Sequence, residues 1–145
     1  MAPLSIIYIF IITISTDSGA YFIGTLIGGP KLCPKISPSK TISGAMGGII
    51  CAFVFGTMYI IYTMWVSGAS FDLLHIFALL TIAFSMISQM GDLFESWLKR
   101  LNNIKDSSNI IPGHGGVLDR FDSILFVAPV MALIIAFVKV GYILL

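Results

Sequence analysis

Charge is the scarcest property of this chain. Of its 145 residues only 15 are Asp, Glu, Lys or Arg, and the net charge is +1. That excludes a soluble domain, because too little polar surface exists to clothe a core. It also leaves no basic stripe for a phosphodiester backbone, so no nucleic-acid partner is expected. Cysteine is scarce as well. Cys33 sits in a basic loop and Cys51 in an apolar span, without metal-ligand spacing, so both read as reduced thiols. What remains is apolar: 57% of residues are hydrophobic and the mean hydropathy is +1.00. An integral membrane protein is the expectation.

Four apolar spans organise the sequence, at about 3–26, 44–65, 73–98 and 123–145. Each supplies the roughly 20 residues that cross a bilayer as a helix. The predicted fold is therefore all-α, a single polytopic membrane domain over 1–145, with loops at about 27–43 and 99–122. The first span reads poorly as a signal peptide, since it lacks a basic n-region and has Asp17-Ser18-Gly19 where a small-residue cleavage site is expected. Seven of the eight basic residues fall in the two loops, leaving only Lys139 near the end of the last span. The positive-inside rule then puts both loops in the cytoplasm and both termini outside. Gly47-Gly48 reads as close helix packing, and the small-residue faces of the spans suit a homodimer.

Nine of the 15 charged residues cluster between Asp92 and Asp122. Ionisable groups beside membrane spans are costly, so such a cluster calls for a function. On a helix, Asp92 shares a face with Glu95 and Ser96, and Lys99 lies one turn further on. Carboxylates at the end of a span suit a divalent cation, and neighbouring cations suit phosphate oxygens. Asp119 and Asp122 repeat the three-residue spacing, so two carboxylate pairs on adjacent helices are placed to converge on one or two cations. Between the pairs, Pro112-Gly113-His114-Gly115-Gly116 offers little-hindered backbone N–H groups, the makings of an anion nest.

These residues carry a resemblance. The run S-x-L-K-R-x4-K-D-x-S-x2-I-P-G-H-G-G-V-x-D-R-F-D, from Ser96 to Asp122, closely resembles the signature of the phosphatidate cytidylyltransferases (CDP-diacylglycerol synthases). Three shorter patterns precede it in the expected order. They are Asp17-Ser18-Gly19-Ala20-Tyr21-Phe22 with Gly24, Ser37-Pro38 with Lys40-Thr41 and Gly44, and Gln89 with Gly91-Asp92-Leu93 and Glu95-Ser96. The resemblance covers about residues 16–123. Two positions depart from it: Ser39 stands where the family has a basic residue and Ser43 where it has an acidic one. Family chains are also longer, with further spans before the one holding Asp17, so a short form is expected.

The resemblance implies the reaction of CTP with phosphatidate to give CDP-diacylglycerol and diphosphate, in phospholipid biosynthesis. It implies Mg²⁺ on Asp92, Asp119 and Asp122, with a second cation such as K⁺ beside it. Lys105 and Asp106 join these carboxylates as catalytic residues. Ser96, Lys99, Arg100 and Arg120 are expected to bind CTP and lipid phosphates, with His114, Gly115 and Gly116 contacting phosphate. Ser37, Lys40 and Thr41 are expected to close the site from the first basic loop. The implied setting is a multi-pass protein of the plasma (inner) membrane with its site facing the cytoplasm.

Plainer readings compete at each position. Asp92 and Glu95 also suit a solvated helix end. Asp119 and Asp122 suit N-terminal caps of the fourth span. Lys99, Arg100 and Lys105 suit interfacial anchors, and Lys31 and Lys35 suit topology determinants. Asp17 reads equally as an interhelical hydrogen-bond partner or as part of the site. Two other functions compete with the transferase: an inactive or partner-dependent remnant of the family, and a small membrane transporter. Against the transporter, the acidic residues gather at one membrane face.

Overall fold

The computed structural model describes residues 2–102, 104 and 118–144, with side chains at 4–102, 104 and 121–137. Four long helices dominate: α1 (Ala2–Ile27), α2 (Ile42–Ser67), α3 (Leu74–Leu101) and α4 (Leu118–Leu144). The first three are long and apolar enough to cross a membrane, and α4 contributes a shorter apolar stretch, Phe121–Phe137. Their outward faces carry large apolar side chains such as Leu26, Trp65 and Phe137, each more than 70% exposed. This is the expected surface of a protein whose solvent is lipid. The all-α membrane fold read from the sequence is what the structure shows.

The helices pack in a staggered row. α1 lies most extensively against α2 and also touches α3 and α4; α3 packs on both α2 and α4. Among the described residues α2 and α4 do not touch. The α1–α2 seam is made by small residues. A Cβ at Gly44 would stand 2.7 Å from the Ala20 carbonyl, and one at Gly48 would stand 2.7 Å from the Thr16 carbonyl. Hence Gly44 and Gly48, four apart on α2, receive the Thr16–Ala20 ridge of α1 backbone to backbone. The close packing read from Gly47-Gly48 is thus present, and it is used within the chain.

Buried hydroxyls join the helices where lipid offers no partner. Tyr8 Oη and Thr81 Oγ1 lie 2.6 Å apart, and Thr16 donates to Ser85 Oγ at 2.9 Å. Around them sit Ile12, Ala52, Phe84 and Val127, all but inaccessible. α2 ends in a Schellman turn: Gly68, at φ 67°, lets its N–H reach Trp65 O at 3.3 Å and that of Ala69 reach Met64 O at 3.0 Å.

The first basic loop is more ordered than expected. It folds as an antiparallel hairpin, β1 (Lys31–Cys33) and β2 (Ser37–Thr41). Pro34 follows Cys33 at the turn, where its fixed φ favours the second position, and Ile36 N–H closes the turn on Cys33 O at 3.1 Å. Gly28 and Gly29, at φ 66° and 102°, turn the chain from α1 into β1. Thr41 ends β2 and caps α2 by accepting from Gly44 N–H at 3.1 Å. The hairpin is thereby fixed at both ends. α4, expected from about 123, starts at Leu118, because the polar Asp119-Arg120 read as loop while the helix extends past its apolar stretch.

Candidate active site

A cavity of about 560 Å³ opens between the C-terminal half of α1, the hairpin, the start of α2 and the middle of α3. Its polar walls are Asp17 and Tyr21 from α1, Lys31, Ser39, Lys40 and Thr41 from the hairpin, and Gln89 and Asp92 from α3. Local structure explains each placement. Gly24 and Gly44 face each other across the seam, where a Cβ on Gly24 would meet Thr41 Oγ1 at 2.9 Å. That close approach brings β2 down onto α1. β2 then carries Lys40 to α3, where its ammonium pairs with Asp92. Gln89, one turn before Asp92, donates to Ala45 O at 3.0 Å and locks α3 to the start of α2.

α4 completes the constellation. Ser123 Oγ lies 3.5 Å from Asp17 Oδ2, and Asp122 Oδ1 accepts from Ser123 N–H at 2.7 Å. Asp92, Asp122 and Lys40 all lie within coulombic reach of Asp17. Carboxylates from three helices and one ammonium from the hairpin therefore address one another at this end of the bundle. Beside them Glu95 is only 8% exposed. Its carboxylate faces Lys99 Nζ at 3.4 Å, a turn further along α3, and the side chain of Asp122 on α4. Asp122 is also within its coulombic reach, so α3 and α4 do present acidic residues to each other.

The expected site residues fare differently. Asp92, Lys40 and Thr41 line the cavity, and Asp122 stands beside it. Ser37 is buried in β2 and does not line the cavity, nor does Ser96, half-buried on α3. Arg100 donates to Ile36 O at 3.3 Å, tying the end of α3 to the hairpin. Asp119 and Arg120 lie in the first turn of α4, and their side chains fall outside the described residues, as do Lys105, Asp106, His114, Gly115 and Gly116. Asp122 is not a helix cap. It lies a full turn inside α4 and binds the N–H of its own neighbour.

Gln89 had been given no part in the expected site, Asp17 was left open, and Glu95 was named only as the partner of Asp92 in a carboxylate pair. The signal for Gln89 was its place three residues before Asp92, on the same helix face. Asp17, left between two roles, lines the cavity with Asp92 and faces Ser123 across the α1–α4 contact. Among the described residues no three His, Cys, Asp or Glu side chains gather closely enough to hold a metal. The chemistry of the donors, oxygen from carboxylate alone, nevertheless fits a hard cation such as magnesium.

A profile of the cytidylyltransferase family matches residues 2–138. The chain is 48% identical over 132 residues to the phosphatidate cytidylyltransferase of Bacillus subtilis (strain 168), covering 90% of this chain and 47% of that protein. It is 43% identical over 131 residues to the protein of the same name from Staphylococcus saprophyticus, covering 90% and 48%. For that of Staphylococcus aureus (strain COL) the identity is 42% over 130 residues, covering 90% and 48%. The chain spans about half the length of the curated relatives it matches.

Proposed function

This chain belongs to the cytidylyltransferase family, and from that premise we propose that it makes CDP-diacylglycerol from CTP and phosphatidate. A phosphate oxygen of the lipid forms a bond to the α-phosphorus of CTP, the bond to the β-phosphate breaks, and diphosphate leaves. A phosphomonoester dianion is already nucleophilic, so no protein nucleophile or base is needed. The protein's task is alignment and neutralisation of charge. The observation that carries the reading is the convergence of Asp17, Asp92 and Asp122 with Lys40 about one cavity. Unmatched charge of this kind beside membrane helices is costly unless a cation and the polyanion it binds complete it.

In this reading Asp92, Asp119 and Asp122 hold Mg²⁺, which supplies positive charge to the reacting phosphates when bound. Potassium is the second cation. Lys40 neutralises phosphate oxygens from the hairpin, and Arg120 and Lys105, whose side chains lie outside the described residues, share that task in this reading. Lys99 and Arg100, held by Glu95 and by Ile36 O, shape the site and add field. Thr41, engaged as a cap, acts by fixing Lys40. In this reading the protein sits in the plasma (inner) membrane with this end in the cytoplasm. The support is that Lys31, Lys35 and Lys40 of the hairpin and Lys99 and Arg100 of α3 lie at one end of the bundle, where Arg100 meets Ile36 O.

The test uses the purified chain in detergent–phospholipid micelles. Labelled CTP is followed into a lipid-extractable product, with and without phosphatidate and Mg²⁺, beside an Asp119→Asn variant. Product that needs both additions and vanishes in the variant supports the enzyme. No product from well-folded protein points instead to an inactive or partner-dependent form.

A further inference from the structure

Against the polar cavity lies a second, apolar one of about 450 Å³, within the usual size of ligand sites. Cys33 and Ile36 of the hairpin, Met90, Phe94 and Trp97 of α3, and Phe126 of α4 form its walls. Leu93, next to Asp92, borders both cavities. We propose that this groove seats an acyl chain of the phosphatidate whose phosphate occupies the polar cavity. The inference rests on the reaction proposed above.

Three observations carry it. The first is continuity: a lipid phosphate near Asp92 and Lys40 starts its chains one residue away from the groove. The second is that one hairpin builds both walls, giving Lys31 and Lys40 to the polar cavity and Cys33 and Ile36 to the apolar one. Charge and apolar surface are thus partitioned as they are in a phospholipid. The third is that the groove is held open by fixed parts. Gly91 lets the Phe126 ring approach α3, where a Cβ would stand 2.7 Å from it. Phe94 packs on Phe126 at 5.4 Å and on Trp97 at 5.6 Å between ring centres. Arg100 pins the hairpin above them through Ile36 O.

Cys33 makes the groove directly observable. In a Cys51→Ser chain it is the only thiol, and its alkylation by N-ethylmaleimide can be timed in micelles. Dioleoyl phosphatidate should slow alkylation about tenfold once about nine-tenths of the protein chains carry it, because a covered thiol does not react. Dibutyryl phosphatidate and dioleoyl phosphatidylcholine should not. Slowing by phosphatidylcholine to the same extent would mean indiscriminate lipid cover, and slowing by raised protein concentration alone would mean a second copy; either overturns the proposal, as does no slowing. As a second measurement, Cys33→Trp should raise KM about tenfold for dioleoyl phosphatidate. It should leave KM for CTP and for dibutyryl phosphatidate unchanged. An equal loss with both lipids contradicts the groove. Protection of Cys33 without any CDP-diacylglycerol formation would sink the reaction and leave the groove standing. Turnover without protection would sink the groove alone.

Discussion

The two ends of this helix bundle use polar side chains in opposite ways. From the start of α1 to its middle, buried hydroxyls are neutral and several are paired: Tyr8 with Thr81, Thr16 with Ser85, Thr13 with the Ile9 carbonyl, while Thr57 Oγ1 and Ser88 Oγ have no partner among the described residues. Each pair satisfies itself and leaves nothing for a ligand to bind. At the other end the groups are charged, and among the described residues the carboxylates outnumber the cations that face them. Lys40 pairs with Asp92 and lies within coulombic reach of Asp17, which Asp122 also approaches, and buried Glu95 faces Lys99 and Asp122. The difference separates scaffold from site. Polar groups that hold helices together in lipid close their valences on each other, whereas groups kept for a substrate leave theirs open.

Substitutions at each end should break the comparison in different directions. Asp92→Asn should lower CTP-to-lipid turnover about 10³-fold while melting within a few degrees of the unaltered chain. Loss of the folded state instead would place Asp92 with the scaffold. Gly48→Leu should do the reverse. Its side chain begins where a Cβ already stands 2.7 Å from the Thr16 carbonyl, so about 3 kcal/mol of stability is lost, seen as a lower melting temperature or aggregation in detergent. Tyr8→Phe removes a hydroxyl from the 2.6 Å pair with Thr81. Interhelical hydrogen bonds of this kind are worth about 0.6 kcal/mol, so melting should shift slightly and turnover should stay the same.

Much of this was legible in the residues. The helices announced themselves as long apolar runs, and their order and lengths follow from the spacing of the charged interruptions. Asp92 stood out because scarce charge beside a span demands a purpose, and Lys40 through the family pattern; the structure places both on the cavity wall. The hairpin was not, since Lys31, Lys35 and Lys40 read as solvated loop and nothing local shows that β2 would be drawn onto Asp92. Ser37 and Ser96 illustrate the converse. Both belong to patterns that touch the site, and both turn their side chains elsewhere, because a pattern fixes a backbone path and not every member faces inward. Glu95 was placed with Asp92 on one face. The 60° between residues three apart is enough to turn it from the cavity toward Lys99 and α4. Asp17 could not be assigned from sequence, since its partners come from three other elements.

Asp17 is therefore where the account is most exposed. The direct measurement is Asp17→Asn, assayed at once for Mg²⁺-dependent transfer from CTP to phosphatidate and for thermal stability in the same micelles. The account predicts at least about a hundredfold loss of turnover with melting nearly unchanged, because an amide keeps the contact to Ser123 and loses the charge. Retained turnover with a clear fall in stability would contradict it, and would return Asp17 to the scaffold as an interhelical hydrogen-bond partner.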